Sequence, residues 1–262
     1  MEPRAPGAIA VNLVQEVIDW FADADNWSGR RGVWHQLREH VRMSGVATLA
    51  ACLLALPPAV WLGHKRRFGS VAVNVSNVGR AIPSFAILVI ATQQFGLLEY
   101  PIVGSFTTFL ALVALAVPPL VTNAYVAVAE VPDELRDAAR GMGMSEGELL
   151  RRVELPVAAP LLMAGVRTAA VQVVATATIA AFVGADGLGR FIIDGRAVND
   201  QAEIFAGALL VALLSLLTEG GLALVQSAVT PRGLREADVP TGAEAAALAV
   251  ATVPPPDGRG TP

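Results

Sequence analysis

The chain alternates long apolar runs with short polar connections, and five runs are long enough to cross a lipid bilayer. These nearly uncharged segments cover residues 44–63, 70–96, 105–129, 157–185 and 204–229. A helix rises about 1.5 Å per residue, so about 20 residues span the roughly 30 Å core of a membrane. The pattern predicts an all-α, polytopic membrane protein with about five transmembrane helices.

The segments before and after the five runs have a different character. Residues 1–43 carry tryptophans at a seven-residue spacing, which predicts an amphipathic segment at the membrane interface: Trp20, Trp27 and Trp34. Gly29 and Gly32 favour two short helical pieces there over one. Residues 230–262 are rich in Pro, Ala, Gly and Thr and are predicted to form a disordered C-terminal tail. The transmembrane domain is expected to occupy residues 44–229.

Composition agrees with a lipid-embedded chain and narrows the function. Of the 262 residues, 54% are apolar and 16% are charged, whereas soluble domains carry about 25% charged residues. The net charge of −4 argues against a nucleic-acid partner, which needs a clustered basic face. The predicted spans contain no Asp or His, which argues against an intramembrane enzyme. We expect a non-enzymatic protein without a metal or cofactor.

The distribution of basic residues predicts the orientation of the spans. Arginine and lysine cluster in the connections 64–69 and 130–156 and in the C-terminal tail, and are sparse in 97–104 and 186–203. Basic loops face the cytoplasm. We therefore predict a multi-pass plasma-membrane protein with the 130–156 loop and the C-terminus in the cytoplasm. The side of the N-terminal segment stays open, because alternation places it outside although it holds five arginines.

The polar loop at 130–156 has its own helix signals. Pro132 favours a helix start, and Ser145 with Glu148 three residues later has the spacing of a capping box. Glycines between these two starts weaken a continuous helix. The loop therefore predicts two short helices with a bend at Gly143.

The second of these helices has an apolar face, formed by Leu149, Leu150 and Val153. Pro156 is expected to end this helix before the next span. A short exposed helix with an apolar stripe suits a groove on a partner protein. The alternative is a helical hairpin packed on its own subunit.

Residues 137–156 resemble the Glu-Ala-Ala loop of permease subunits from ABC importers. Asp137, Ala138 and Ala139 stand where that loop has Glu-Ala-Ala. Gly143 stands at the family's glycine, and residues 153–156 occupy its late Ile-x-Leu-Pro. The resemblance implies the type I ABC importer permease fold and a loop that couples to a separate ATPase. The coupling residues that it implies are Asp137, Ala138, Ala139, Gly141, Gly143, Met144, Leu149, Leu150, Val153, Leu155 and Pro156.

Three further segments resemble the osmoprotectant permeases of that group, which import glycine betaine, carnitine or choline. They are residues 76–84, 163–168 and 184–189. The first thirty-odd residues, with 26–29, resemble an actinobacterial version in which two different permeases pair.

The resemblance implies that the chain forms half of a translocation pore. The implied partners are a second permease subunit in a homo- or heterodimer, ABC ATPase subunits, and an extracellular or periplasmic substrate-binding protein. The chain has no Gly-x-x-x-x-Gly-Lys-Ser/Thr phosphate loop, so ATP hydrolysis falls to a separate chain. The first alternative is a permease of the same architecture for methionine or a sulfonate. The second is a secondary transporter.

Ionisable residues inside predicted spans mark candidate functional positions. A pair between Glu219 and either Arg167 or Arg80 would neutralise both charges near an inner gate. The alternative is that each side chain extends to the cytoplasmic interface. Arg80 also suits a barrier to inorganic cations. The candidate pore or gate residues are Arg80, Pro83, Ser84, Arg167 and Glu219.

Overall fold

The computed structural model describes residues 6–67, 69, 74, 84–95, 99–100 and 104–230. Most of the predicted second span at 70–96 lies outside the described residues, and Arg80 and Pro83 lie outside them with it. The predicted C-terminal tail also lies outside, apart from Thr230.

Helices account for nearly all of the described residues. They are α1 (Pro6–Ala22), α2 (Val33–Lys65), α3 (Ser84–Phe95), α4 (Phe106–Ala129), α5 (Asp133–Gly141), α6 (Glu146–Leu149), α7 (Leu155–Ala177), α8 (Gly189–Val198) and α9 (Gln201–Val229). Tighter 3-10 turns cover Ala24–Trp27 and Thr178–Val183, and a wider π-helical turn, Leu150–Glu154, joins α6 to α7. Two short antiparallel strands, β1 (Glu99–Tyr100) and β2 (Gly104–Ser105), pair between α3 and α4. The predicted all-α class is confirmed.

Four described helical stretches are long and apolar enough to cross a membrane: Val33–Lys65, Phe106–Ala129, Glu146–Val183 and Gln201–Val229. They correspond to the first, third, fourth and fifth predicted spans, and α3 covers the end of the second. The first stretch extends the apolar run at 44–63 at both ends, because no glycine or proline interrupts residues 33–44. As a result α2 also carries two buried histidines, His40 and His64.

Helices α2 and α4 approach each other closely along a stripe of small residues. On α2 the stripe recurs every four residues and is buried throughout: Ala47, Ala51, Ala55, Ala59 and Gly63. Side chains four residues apart share one helix face, and small residues let helix backbones approach closely in a membrane. A Cβ added at Gly63 would lie 2.7 Å from the backbone oxygen of Tyr125 on α4. The stripe therefore selects the face of α2 that packs on α4.

Helix α7 contacts three of the other long helices, α2, α4 and α9. Its Gly165 faces Asn123 of α4, where an added Cβ would come within 2.5 Å of the Asn123 Cβ. Helix α9 differs, since its most apolar stretch has no buried residues and exposes leucines such as Leu213 and Leu217. An apolar surface of this kind suits a lipid environment.

The N-terminal segment is interrupted at its glycines, as predicted, but it holds three helical pieces rather than two: α1, the 3-10 turn Ala24–Trp27 and the start of α2. The break includes Gly29, which adopts a φ of +78°. The rings of Trp20 and Phe191 of α8 meet edge-on with centroids 5.4 Å apart. Trp27 is half-buried, whereas Trp34 is 64% exposed. Two of the three tryptophans therefore pack on this chain, and a location at the membrane interface stays a prediction.

We expect Gly63→Ala to lower the free energy of unfolding, because the new methyl group would overlap the Tyr125 carbonyl; overpacking costs about 1–3 kcal/mol. Gly45→Ala on the same helix is the matched control, since nothing lies within 4 Å of a Cβ added there and alanine favours helix over glycine. Thermal unfolding in detergent measures both variants. Equal midpoints would contradict the close contact between α2 and α4.

Candidate functional site

The polar loop between α4 and α7 forms two short helices, α5 and α6, at one end of the bundle, here called the loop end. Gly143 follows α5 with a φ of +83°. Its N–H donates to the Arg140 carbonyl at 2.9 Å, and the Met144 N–H donates to the Ala139 carbonyl at 3.2 Å. Helices commonly end with a residue in the left-handed backbone conformation, and glycine adopts this conformation without a Cβ clash. The predicted bend at Gly143 is present.

Helix α6 begins with the predicted capping box. The Ser145 N–H donates to Glu148 Oε2 at 3.1 Å, and Ser145 Oγ donates to the same oxygen at 3.0 Å. The Ser145 side chain in turn accepts from the backbone N–H of Glu148. These bonds satisfy donors that the first turn of a helix leaves unpaired.

Pro156 does not end the second loop helix, and this prediction is wrong. The helical stretch Glu146–Val183 is continuous and passes through the π-helical turn. In that turn the Leu155 N–H donates to the Leu150 carbonyl, five residues before it. A proline ring crowds the carbonyl four residues earlier, and the wider turn relieves that crowding. The loop therefore joins the spanning helix α7 without a flexible linker.

The apolar stripe of the second loop helix packs on its own chain. Leu149 is fully buried, Leu150 packs against a cluster that includes Val128 and Ala158, and Val153 is half-buried. The prediction that this stripe enters a groove on a partner is wrong for Leu149, which has no free surface. The alternative of a hairpin packed on its own subunit describes this half of the loop.

The exposed surface of the loop includes α5, the bend and the start of α6. Among the predicted coupling residues, the exposed ones are Asp137, Ala138, Gly141 and Gly143. Ala139 is buried, and Met144, Leu155 and Pro156 are half-buried. Two exposed apolar side chains were not among the predicted residues: Met142, 72% exposed, and Leu135, 43% exposed. The sequence could have indicated these two residues, because large apolar side chains are unusual in a polar loop.

Three charged side chains outside the predicted set are buried together where the loop meets the bundle. Glu154 of the π-helical turn has no exposed surface, Arg136 of α5 is 3% exposed and His64 of α2 is 5% exposed. His64 Nδ1 donates to Glu154 Oε2 at 2.7 Å, and Arg136 Nη1 lies 3.3 Å from Glu154 Oε1 as an ion-pair contact. A buried charge is costly unless it is paired. Each of the three therefore depends on the others.

Arg136 also holds the ends of two long helices. Its Nη2 donates to the Val128 carbonyl of α4 at 2.6 Å, and its Nη1 donates to the His64 carbonyl of α2 at 3.4 Å. Burial lowers the pKa of the Arg136 guanidinium from its ordinary value, while the Glu154 carboxylate raises it. Arginine stays charged near neutral pH in either case.

Arg66 connects the same elements at the surface. It follows α2 in the left-handed conformation with a φ of +49°. Its Nε donates to the Ala129 carbonyl at 3.0 Å and its Nη2 to the Val131 carbonyl at 2.8 Å. Its Nη1 forms an ion pair with Asp133 at the start of α5. Two arginines, one buried and one exposed, therefore fix α5 relative to the ends of α2 and α4.

The sequence held a weak signal for the buried cluster. Glu154 stands between Val153 and Leu155, an apolar setting in which a carboxylate needs a partner. The sequence does not show which residues pair with Glu154, because His64 and Arg136 belong to other elements. Whether these side chains come into contact depends on how those elements pack.

Two of the candidate pore or gate residues form an ion pair. Arg167 Nε of α7 lies 3.0 Å from Glu219 Oε1 of α9, with the side chains 31% and 45% exposed. Of the two pairings expected for Glu219, this one is present; Arg80 lies outside the described residues. Ser84 is the first residue of α3. A role for these residues at a gate stays a prediction.

The opposite end of the bundle is held by buried polar side chains of α2. His40 Nδ1 accepts from the Leu188 N–H at 3.2 Å, and Gln36 Oε1 accepts from the Gly187 N–H at 2.6 Å. These bonds attach the glycine-containing segment 184–189 to α2. A cavity of about 610 Å³ lies beside this segment, with charged lining residues Arg30, Arg31, Asp186, Arg190, Asp194 and Glu203.

Long apolar helices with a two-helix polar loop at one end form the architecture of a membrane permease. A family model described as "Binding-protein-dependent transport system inner membrane component" matches residues 47–231. The chain belongs to this family. It is a multi-pass transport subunit rather than an enzyme, as predicted.

Similar proteins support this placement along most of the chain. A choline transport system permease protein of Bacillus subtilis is 32% identical over 75% of this chain and 88% of its own length. A carnitine transport permease protein of Listeria monocytogenes is 33% identical over 77% of this chain and 90% of its own length. A solved structure of the MetNI methionine ABC transporter in an inward-facing conformation matches with a TM-score of 0.64 at 23% identity, over 76% of this chain and 96% of that one. This likeness confirms the predicted type I ABC importer permease fold.

We expect Glu219→Arg to lower the yield of folded protein from membranes, because two like charges would then face each other between α7 and α9. Adding Arg167→Glu should restore the yield, since the swapped charges can pair again; Arg167→Glu alone is the control. Size-exclusion chromatography of detergent extracts measures the folded fraction. A double variant no better than Glu219→Arg would contradict a stabilising pair.

Proposed function

We propose that this chain forms the membrane half of an ATP-driven importer of osmoprotectants such as glycine betaine, choline or carnitine. The observation that carries the proposal is the similarity of this chain to a choline permease and a carnitine permease. They are 32% and 33% identical to it and align with about three quarters of its length. The likeness to the methionine transporter, at 23% identity, is one of fold alone and does not favour methionine as the solute.

The loop end is the cytoplasmic end in this proposal. Its exposed arginines support that orientation, since basic loops face the cytoplasm; they include Arg67, Arg140, Arg151 and Arg152. ABC ATPase subunits dock there and hydrolyse ATP. A second permease subunit completes the pore, and a substrate-binding protein delivers the solute on the opposite side of the membrane.

The docking surface for the ATPase is the exposed face of α5 and the bend that follows it. Leu135 and Met142 supply apolar contact area there, with Asp137, Ala138 and Gly143 exposed between them. Apolar anchors surrounded by polar residues are typical of binding hot spots. The buried stripe of α6 contributes indirectly, by fixing the loop against the bundle.

The continuity of α6 with α7 supports a coupling role for this surface. A force applied to the loop reaches the spanning helix through hydrogen-bonded backbone from Glu146 to Val183. Rigid-body movement of packed elements is a common way to pass a local change to a distant site. Closure of the docked ATPase dimer would in this way move α7 and open or close the pore.

We expect Met142→Asp to weaken co-purification of the cognate ATPase by roughly tenfold, because a charge would be buried in the apolar centre of the interface. Val198→Asp is the matched control, since Val198 is 71% exposed at the opposite end of the bundle. Both variants should reach the membrane at wild-type levels. Equal ATPase recovery with the two variants would contradict docking on this face.

The solute class is tested by ATP hydrolysis in liposomes that contain the chain, its partner permease, the ATPase and the matched binding protein. We expect glycine betaine, choline or carnitine to stimulate hydrolysis several-fold and methionine to have no effect. Stimulation by methionine alone would assign the chain to that solute. An assembled complex that none of the three osmoprotectants stimulates would refute the proposed class.

A further inference from the structure

A series of ion pairs begins on the exposed loop. Asp137 Oδ1 lies 3.6 Å from Arg140 Nη1, and Arg140 Nε lies 3.1 Å from Glu146 Oε1. The second carboxylate oxygen of Glu146 lies 3.2 Å from His64 Nε2. Asp137, Arg140 and Glu146 are all exposed, so these contacts connect the proposed docking surface to the end of α2.

The series continues into the buried cluster. His64 Nδ1 lies 2.7 Å from Glu154 Oε2, and Glu154 Oε1 lies 3.3 Å from Arg136 Nη1. Acidic and basic side chains alternate along the whole set, here called the ion-pair series: Asp137, Arg140, Glu146, His64, Glu154 and Arg136. The contacts among Asp137, Arg140 and Glu146 are exposed to solvent. The contacts of Glu154 with His64 and Arg136 are buried.

His64 joins the outer and inner halves of the series. Each of its ring nitrogens faces a carboxylate oxygen, from Glu146 at Nε2 and from Glu154 at Nδ1. His64 thus bridges one exposed carboxylate and one buried carboxylate.

The series reaches a helix that the backbone does not connect to the loop. The loop continues in the chain into α4 and α7, whereas α2 meets the loop through side chains. The buried contact between His64 and Glu154 attaches α2 firmly, because separating a buried pair leaves an unpaired charge without water. The exposed contacts of Glu146 are weaker, since solvent screens them. Glu146 therefore provides the weaker of the two carboxylate contacts that His64 makes.

We propose that His64 is a positioning residue that transmits movement of the docked loop to α2, through Glu146 on the loop side and Glu154 on the buried side. This inference rests on the proposed function, because it concerns how ATPase docking is coupled to the pore. A movement of α5 and α6 carries Glu146 with it, and the end of α2 follows because His64 contacts both Glu146 and Glu154. Helices α2 and α7, which contact each other and α4, then move together.

Glu146→Gln tests the inference without touching a buried residue. It cuts the series at an exposed position outside α5 and the bend, so the fold and the docking surface should persist. The control is Glu130→Gln, which removes a negative charge at the same end of the bundle from an exposed residue for which the described residues show no ion pair. The readouts are thermal midpoint, ATPase co-purification, and the ratio of solute-stimulated to basal ATP hydrolysis in liposomes.

We expect Glu146→Gln to lower the stimulation ratio by roughly two- to fivefold, the range that a half-exposed ion pair supports. Co-purification and thermal midpoint should match those of Glu130→Gln. His64→Gln should lower the ratio at least as far. The double variant of His64→Gln and Glu146→Gln should lose no more than His64→Gln alone, because both changes interrupt one series.

Unchanged stimulation in Glu146→Gln would overturn the inference while leaving the proposed function intact. Loss of ATPase co-purification in Glu146→Gln would also overturn it, since that outcome makes Glu146 a docking contact. Additive losses in the double variant would show two independent contributions and overturn the single series. A wild-type complex that no osmoprotectant stimulates would refute the proposed function instead, and the inference would fall with it.

Discussion

The carboxylate of Glu154, which has no exposed surface, lies where α2, α5 and α7 converge, and its charge organises the loop end of the bundle. A buried carboxylate is tolerated only with cationic partners close by. His64 meets that need from α2 and Arg136 from α5. Because the two partners come from different elements, pairing the charge also fixes those elements in position. Removal of either partner would leave the buried carboxylate with one partner instead of two, so the three elements are interdependent.

The packing of the long helices complements this electrostatic junction. Small residues bring α2 and α4 into close contact, which places His64 directly beside the end of α4. The same end holds the Val128 carbonyl that Arg136 binds. The π-helical turn then sets Glu154 facing inward while α6 continues into α7. Helix packing and the charge cluster therefore support one arrangement, in which the loop is attached to the bundle and the outer faces of α5 and the bend are open to a partner.

The two buried histidines of α2 occupy opposite chemical settings at opposite ends of the helix. His40 accepts at Nδ1 from the Leu188 N–H, while its Nε2 lies 2.9 Å from the Val174 carbonyl. A ring that accepts at one nitrogen and donates at the other is neutral. His64 faces two carboxylates, from Glu146 and Glu154. One helix thus holds the glycine-containing segment at one end through backbone N–H groups and the polar loop at the other end through acidic side chains.

What the sequence by itself determined was local: the spanning runs, the capping box at Ser145 and the bend at Gly143. Each follows from residues within one or two helical turns, so neighbouring side chains suffice to specify it. The residues of the loop could also be matched to a family, because that match depends on order and spacing. The tertiary structure decided which side of the loop is free. Leu149 and Met142 are both apolar residues of one polar loop, and only the packing of the loop on the bundle buries the first and leaves the second exposed. It likewise decided that Pro156 continues a helix and that Glu154 meets His64, ninety residues away in the chain. Contacts between distant segments depend on how helices pack, and that arrangement is not encoded in any single stretch of sequence.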